Sequence, residues 1–595
     1  MDKYTLLKKY YGYTSFRNNQ EELIDQILKK RDILAVIKTG GGKSIIFQIP
    51  ALMFSGLTLV ISPLISLMED QVNHLKKIGI NAEYINSNRN YLDINSVYLK
   101  IKRQEVKLLY VSPERLLITS FFNIIKDINI SMLTIDEAHC ISLWGQDFRN
   151  SYLEIKTFVS KLKKRPVISA FTATANKRVI SDIISYLDLD NPYIYKSSFD
   201  RENLFYSVVS PVSKFEYLIK FLEENKNVSG IVYTVTRREC RDLYLRLKNK
   251  KYKVLIYHGT LQSKTKEENL KLFINGLNYI MVSTNAFGMG IDKPDIRFVV
   301  NYSLPLSIED LVQQSGRASR DNKIGKSVLI FNYKDVYVNR YFIDNLDFLD
   351  LSTDKINKLK EIKNKQLNSV ISYAQTTKCL HKFILDYFDE ESKDFCDNCS
   401  NCKVNFALIE LFSEAKKVVN FIKYTDERYG FSLVLNTLLG NKNKYTIKKN
   451  LIYNKYFSAS KISRRNLRNL ISSLIEDKYI EKTNSNYPVL KLTNKTNELI
   501  KKKTYKLKVR CEVNDLNNLI KRIIQKNTST YKKLEEYRNL ISRQESIPSF
   551  MVLQNKTIRE LLKKRPKTKN ELKNIYGLSE VKIKKYGGDI LDIIS

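Results

Sequence analysis

Between residues 30 and 200 the chain alternates short apolar runs with stretches of helical period. The runs include Asp32-Ile-Leu-Ala-Val-Ile, Leu57-Thr-Leu-Val-Ile, Lys107-Leu-Leu-Tyr-Val and Met132-Leu-Thr-Ile. Short β-branched runs with helices between them predict strands buried on both faces of a parallel sheet. The alternation restarts after Asn203, with Gly230-Ile-Val-Tyr-Thr, Val254-Leu-Ile-Tyr, Tyr279-Ile-Met-Val, Phe298-Val-Val and Ser327-Val-Leu-Ile. Two tandem α/β domains are expected, joined near residue 200. Beyond about residue 345 the apolar runs stop. Lys355 to Tyr373 is polar with helical period, and residues 405–510 mix helical segments with one hairpin-like piece from Tyr479 to Leu492. The Lys/Thr/Asn-rich stretch near 494–530 has the composition of a linker. The expected partition is 1–200, 201–345, 346–404, 405–510, a linker over 511–530, and a helical unit over 531–595.

Composition narrows the class. At roughly 150 residues per domain, 595 residues make three to five domains and exclude a single small binding module. Hydrophobic residues at 43% and charged residues at 27% suit a folded chain with several cores, not a disordered one. No run approaches the roughly 18 apolar residues of a membrane span, and the opening MDKYTLLKKYYGY lacks a secretory apolar core, so neither membrane insertion nor secretion is expected. Lys and Arg number 100 against 63 Asp and Glu, a net charge of +37. Such a surplus suits a polyanion, nucleic acid or an acidic membrane surface. Base-composition drift is the alternative, because Lys, Asn, Ile and Tyr are abundant throughout.

Three motifs carry nucleotide chemistry. Thr39-Gly40-Gly41-Gly42-Lys43-Ser44 follows an apolar run and precedes a helical stretch. Glycines let backbone N–H groups close on phosphates at a helix N-terminus, with Lys43 reaching the β/γ-phosphates and Ser44 holding Mg²⁺. Ile37 stands where the strict pattern has an earlier glycine. Ser131-Met-Leu-Thr-Ile-Asp136-Glu137-Ala-His139 ends an apolar strand in two carboxylates. Asp136 is expected to hold Mg²⁺ and Glu137 to polarise the attacking water, with His139 coupling the site to its surroundings. Gln313-Gln-Ser-Gly316-Arg317-Ala-Ser-Arg320-Asp321 sets two arginines three residues apart, expected on one helix face and aimed across a cleft at a transferring phosphoryl group. Together the motifs imply ATP between two lobes.

The seven cysteines are too few for a disulfide framework and point to a reducing compartment. Cys379, Cys396, Cys399 and Cys402 have spacing C-x₁₆-C-x₂-C-x₂-C, suited to one closed tetrahedral structural zinc.

The motif set resembles superfamily-two helicases, and within them the RecQ family of DNA helicases. Tyr13-Thr-Ser-Phe16-Arg17-Asn-Asn-Gln20 is similar to the family's N-terminal motif, which implies that Gln20 reads adenine with Arg17 beside it. Leu59-Val-Ile-Ser-Pro-Leu-Ile-Ser-Leu-Met-Glu-Asp70-Gln71 and Tyr110-Val-Ser-Pro-Glu-Arg-Leu resemble its strand-tracking motifs, and Ser169-Ala-Phe-Thr172-Ala-Thr174-Ala its coupling motif. Phe199-Asp-Arg-Glu-Asn-Leu looks like the start of its second motor domain. Ser283-Thr-Asn-Ala-Phe-Gly288-Met-Gly290-Ile-Asp292 is similar to its fifth motif, which implies nucleotide contacts for Asp292, as for Gln313. Cys140-Ile-Ser-Leu143-Trp144-Gly-Gln146-Asp-Phe148-Arg149 resembles the aromatic-rich loop that couples strand binding to hydrolysis, implying DNA contacts for Trp144, Phe148 and Arg149. The family generally has Gln where Leu143 stands and His where Gln146 stands.

The resemblance implies two tandem RecA-like parallel-sheet motor domains, a helical zinc-binding domain, a winged helix and a small all-α HRDC-like domain. Gly440-Asn-Lys-Asn-Lys444 and Tyr487-Pro-Val-Leu-Lys-Leu-Thr resemble winged-helix pieces. Lys442 and Lys444 there are duplex contacts or a solvated turn, and the hairpin tip Thr483-Asn-Ser-Asn486 carries no aromatic wedge. Leu534 to Arg538, Ile547-Pro548-Ser-Phe and Tyr576 to Gly587 resemble the HRDC domain, an auxiliary single-strand-binding module or a plain packing unit. The implied activity is 3′→5′ translocation on single-stranded DNA and duplex unwinding in recombination, repair and replication, with ATP, Mg²⁺ and Zn²⁺ as cofactors. Single-stranded and forked DNA are the implied partners, and a monomer working on DNA inside the cell, in nucleoid or nucleus according to host, is expected. Binding of a single-strand-binding protein or a topoisomerase is left open. An RNA helicase and a non-catalytic DNA-binding scaffold are the rival readings.

Overall fold

The computed structural model describes residues 1–17, 19–38, 40–63, 65–86, 91–145, 148–287, 293–346, 351–403, 406–483, 489–502, 504–510, 529–545 and 547–594. Thr39, Gln146, Asp147, Gly288 to Asp292, Asn484 to Pro488 and most of the expected linker (511–528) lie outside the described residues. The chain divides into two compact units, Met1–Lys403 and Val404–Ser595.

The first unit holds two parallel sheets. In chain order the first has β1 (Ile33–Val36), β2 (Leu57–Ile61), β3 (Ala82–Ile85), β4 (Leu108–Val111), β5 (Ile130–Ile135), β6 (Val167–Thr172) and β7 (Tyr193–Lys196). Their spatial order is β3-β4-β2-β5-β6-β1-β7. The second has β8 (Leu204–Val209), β9 (Ser229–Tyr233), β10 (Val254–Tyr257), β11 (Ile280–Ser283), β12 (Ile296–Asn301) and β13 (Gly325–Ile330), ordered β10-β11-β9-β12-β13-β8. Every pairing in both is parallel, as uninterrupted apolar runs require when helices cover both faces. β1, β5 and β6 are neighbours, so the segments leaving their carboxyl ends converge on one rim. That is where open α/β sheets place ligands.

A 23-residue helix, Thr353–Gln375, and a second, Leu380–Tyr387, follow the second sheet. They lead to the cysteine cluster, which closes on β8: Cys399 bridges Tyr206, and Val208 donates its N–H to Ser400 Oγ at 3.3 Å. An edge strand that would otherwise offer free backbone groups is thereby covered. The same region grips the connection between the lobes. Phe388 stacks on Phe199 with ring centroids 4.0 Å apart, and Glu390 accepts the Phe199 N–H at 2.9 Å.

In the second unit, helices Phe412–Tyr424, Phe431–Leu438 and Arg464–Glu476 pack around Val418, Leu435 and Leu470 beside a hairpin of β15 (Ile480–Lys482) and β16 (Leu490–Leu492). Two features differ from expectation. β14 (Phe406–Glu410) pairs antiparallel with β17 (Lys506–Arg510), and a helix spans Thr496–Lys502, so these two segments of the linker-like stretch are regular structure. A pairing across about one hundred residues leaves no local signal in the sequence. Gly440 to Lys444 forms a capping turn. Gly440 has φ +71°, where a Cβ would stand 2.6 Å from Ser458 Cβ, and Asn443 caps the helix Lys444–Lys448 while Lys442 and Lys444 stay exposed. The last helices, from Ser529–Gln544 to Glu580–Ile594, share a separate core of Leu534, Ile558, Leu561 and Ile590.

Candidate active site and metal centre

The glycine-rich loop leaves β1 and feeds the helix Lys43–Met53. Gly40 and Gly42 have φ of +83° and +74°, a region that side chains disfavour. Gly41 is fixed by crowding, since a Cβ there would stand 2.5 Å from Ile37 Cγ2. Ile37 thus packs the turn from beneath, in place of the earlier glycine. Lys43 and Ser44 open the helix, where unpaired N–H groups and the helix dipole favour an anion. Gln20 holds the loop from the side. Its Nε2 donates to the Gly42 carbonyl at 3.1 Å, and its Oε1 accepts the Arg17 N–H at 2.8 Å. Arg17 Nη1 donates to the Gly40 carbonyl at 3.4 Å.

Asp136 and Glu137 follow β5, two strands from the loop. Glu137 has φ +48°, a conformation unfavourable for a non-glycine residue and often found at functional sites. Burial, then the Glu137 carboxylate, raise the Asp136 carboxyl above the usual range, while Lys43 opposes the shift. A buried and a half-buried carboxylate side by side, within the influence of a lysine, are equipped to receive a cation. His139 is buried. Its Nδ1 meets Thr172 Oγ1 at 2.9 Å and lies 3.3 Å from Glu137 Oε2, bringing the carboxylate next to the end of β6.

The second lobe supplies the arginines, and here the expectation of a shared helix face is corrected. The helix Ile308–Ser315 ends before either, and both occupy the turn that follows. The reason is Arg201, whose Nη1 bonds the Gly316 carbonyl at 3.3 Å and whose Nη2 bonds those of Ala318 and Ser319 at 2.9 and 3.2 Å. These carbonyls turn toward a guanidinium and not along a helix axis. The turn presents Arg317, 2% exposed, with Nε and Nη1 lacking a hydrogen-bond partner among the described residues and the Glu137 charge within reach. It also lays Arg320 along the glycine loop, where a Cβ on Gly40 would stand 3.4 Å from Arg320 Cδ. Gln313 and Gly316 line a narrow cleft with Lys38 and Thr174 of the first lobe. Thr39 and Asp292 fall outside the described residues.

Buried donors without acceptors, a glycine cradle and a carboxylate pair thus meet at the junction of the lobes. The donor set fits a nucleoside triphosphate: phosphates at the loop, a cation at Ser44 and Asp136, and arginines from the far side.

The loop after His139 is packed on the same turn. Gly145 approaches the His139 carbonyl so closely that a Cβ would stand 1.9 Å from it, and Arg149 N–H donates to the Cys140 carbonyl at 2.8 Å. Trp144 is half-buried, its ring facing the Arg178 guanidinium at 4.0 Å and the Lys365 ammonium at 5.7 Å. Phe148 is half-buried, and Arg149 Nη1 lies 3.8 Å from Glu114 Oε1. Sequence reasoning assigned no role to Arg201, although it stands inside a quoted motif, and gave no sign of Arg178.

The four Sγ atoms of Cys379, Cys396, Cys399 and Cys402 all lie within 4.8 Å of one another, with Cys396 and Cys402 at 3.9 Å. Tetrahedral zinc with Zn–S bonds of about 2.3 Å needs sulfurs about 3.8 Å apart. Backbone N–H groups of Leu380 and Asn398 point at Cys399 Sγ and Cys396 Sγ, at 3.4 and 3.3 Å, as suits thiolates. His381 is engaged elsewhere, by Asp200 Oδ1 at 2.9 Å and the Leu204 carbonyl at 3.1 Å. The cluster fits zinc as a folding device.

Fold and site together define a two-lobed, nucleotide-driven motor with a metal-braced extension. Residues 17–183 match the model of DEAD/DEAH box helicases and 213–322 that of the helicase conserved C-terminal domain. Residues 333–403 match RecQ zinc-binding, 406–517 the RQC domain and 527–594 the HRDC domain. The chain is 36% identical over 585 residues to the ATP-dependent DNA helicase RecQ of Bacillus subtilis, covering 98% of this chain and 96% of that protein. The RecQ of Pasteurella multocida is 33% identical, covering 99% and 93%. A putative ATP-dependent RNA helicase of Acanthamoeba polyphaga mimivirus is 35% identical, covering 82% and 91%. The chain belongs to the RecQ family of helicases. Among the described residues no helix is long and apolar enough to cross a membrane.

Proposed function

We propose that the chain is an ATP-dependent DNA helicase that moves 3′→5′ on single-stranded DNA and separates duplexes. One observation carries the reading: Arg317, with Nε and Nη1 unpaired among the described residues, feels the charge of Glu137 while Arg320 lies along Gly40, so a bound triphosphate would join the two lobes. Lys43 and the loop N–H groups hold the phosphates, and Gln20 and Arg17, now bonded to the loop, sit where a base edge would be read. Asp292 and Gln313 complete the nucleotide contacts. Magnesium at Ser44 and Asp136 would offset phosphate charge, and Glu137 orients the attacking water. Arg317 and Arg320 stabilise the transferring phosphoryl group, so hydrolysis loosens the seam and lets the lobes part.

Trp144, Phe148 and Arg149 sense the unpaired strand, because their loop rests on the His139 turn that touches Glu137. Aromatic faces accept any base, which suits a motor without sequence preference. The four cysteines hold zinc as structural support. Forked DNA is the substrate this arrangement serves, and the family resemblance supports work as a monomer in recombination, repair and replication, with single-strand-binding protein and topoisomerase as associates at intracellular DNA.

The test is ATPase rate with and without single-stranded DNA, for the parent chain and for Lys43→Ala and Glu137→Gln. Strong stimulation in the parent, its loss in both variants, and retained DNA binding are expected. Full hydrolysis in either variant refutes the assignment. The mimivirus relative favours one second reading, RNA as substrate, and unwinding of matched DNA and RNA duplexes decides between them.

A further inference from the structure

The long helix Thr353–Gln375 reaches back to the loop that carries Trp144. Gln366 is buried, and its Nε2 donates to the Trp144 carbonyl at 2.9 Å. One turn earlier, Lys363 Nζ donates to the Gly145 carbonyl at 3.2 Å. Residues three apart share a helix face, so both donors come from one rigid surface. The opposite side of this peptide is held as firmly. Trp144 N–H donates to Ser142 Oγ at 3.1 Å, Gly145 N–H donates to the Ser142 carbonyl at 2.9 Å, and Gly145 abuts the His139 carbonyl. The indole lies between cations of two elements, Arg178 and, on the long helix, Lys365.

We propose that Gln366 and Lys363 are positioning residues that hold the strand-sensing loop against the His139 turn, so that the helix leading to the cysteine cluster sets how tightly strand binding is coupled to hydrolysis. The proposal rests on the helicase reading above. A loop without regular hydrogen bonding transmits a push only when its far side cannot yield. Here the far side is the long helix, and its grip is on the two carbonyls nearest the indole. Losing a buried donor leaves its carbonyl unsatisfied and frees the peptide to rotate.

Trp144 is the only tryptophan in the chain, so tryptophan emission, excited beyond the absorption band of the tyrosines, reports this loop alone. The experiment compares the parent with Gln366→Glu, which keeps shape but replaces the N–H donor, and with Lys363→Met, which keeps the aliphatic stem. Emission is read without DNA, and ATPase is titrated with a single-stranded oligonucleotide. In both variants the emission is expected to move to longer wavelength and the DNA-free rate to stay unchanged. The oligonucleotide concentration for half-maximal stimulation is expected to rise about fivefold, the effect of one ordinary hydrogen bond. Coincident emission and titration curves overturn the proposal, as does shifted emission with an unmoved titration. If Gln366→Glu fails to fold, Lys363→Met decides alone. A parent chain that DNA does not stimulate defeats the helicase reading instead, and the emission shift then still reports whether the helix holds the loop.

Discussion

Arg320 of the second lobe lies along Gly40 of the first, its Cδ 3.4 Å from where a Gly40 Cβ would stand. The phosphate loop is therefore walled on one side by a residue some 280 positions later in the chain. Three residues before it, Arg317 is buried with two nitrogens unpaired among the described residues. Burying donors without acceptors is costly, and a site that tolerates this is built for an anion. Arg317→Ala is expected to lower the hydrolysis rate about 10³-fold while a fluorescent nucleotide analogue still binds. Equal loss of binding and rate would show that Arg317 holds the ground state instead.

Arg201 determines where those arginines point, because its guanidinium collects three carbonyls of their turn. A lysine there keeps the charge but cannot span the same acceptors. Arg201→Lys should reduce kcat by more than tenfold with little change in KM for ATP, since the residue acts through Arg317 and Arg320. A steady-state ATP titration at saturating DNA separates the two parameters.

The cysteine cluster closes on β8, and the segment that leads into it packs Phe388 and Glu390 on Phe199 between the lobes. Cys399 is fully buried, and its backbone pairs with Tyr206 of β8, so a change in its sulfur's position is felt next to the sheet. Cys399→Ser should release zinc, measured as metal per chain, and lower Tm by several degrees. Prolonged chelation of the parent chain should do the same. Undiminished zinc in Cys399→Ser would mean that three sulfurs suffice.

Glu83 offers a pH-dependent counterpart inside β3. Burial would raise its carboxyl, but Lys100 and Lys76, at 2.8 and 2.9 Å, more than reverse this and hold it below the ordinary 4.5. The native state therefore gains from the charged form above that value and loses the gain as pH falls through the lower native one. Glu83→Gln should lower Tm at pH 7 and converge on the parent under more acid conditions, a difference that thermal scans across pH would read.

Legibility in the sequence followed burial. β1, β2, β4 and β5 stood out because both faces are covered and each run is mostly apolar and free of charge. β3 was hidden by Glu83, a charge inside a buried strand that only its two lysines explain. β7 and β8 lie at sheet edges and mix polar with apolar positions. β14 and β17 find each other across the whole second core. At the site, Gly40 to Ser44, Asp136 to His139 and the four cysteines were readable because each group is continuous or closely spaced. The turn bearing Arg317 was misread as helix because its determinant, Arg201, is more than a hundred residues away. Trp144 was readable as the aromatic of a strand-sensing loop but not as a ring already lying over Arg178, a contact between separate elements.

Gly145 gives the sharpest test of coupling, because a single added methyl group there would meet backbone atoms. The glycine sits where a Cβ would be 1.9 Å from the His139 carbonyl oxygen and 3.0 Å from that of Ser142, both backbone atoms that cannot swing aside. Gly145→Ala must therefore push the Trp144 peptide away from the His139 turn, even though neither Trp144 nor His139 is altered. The atoms nearest the added methyl group belong to His139 and Ser142, and none to the phosphate loop, Glu137 or the arginines, which are expected to keep their places. Hydrolysis without DNA should accordingly stay within about twofold of the parent, whereas stimulation by single-stranded DNA should fall at least tenfold, a barrier change of roughly 1.4 kcal/mol. Parallel ATPase assays with and without oligonucleotide, at matched Tm, measure both. A variant stimulated as strongly as the parent would show that strand binding reaches the ATP site by a route other than this contact.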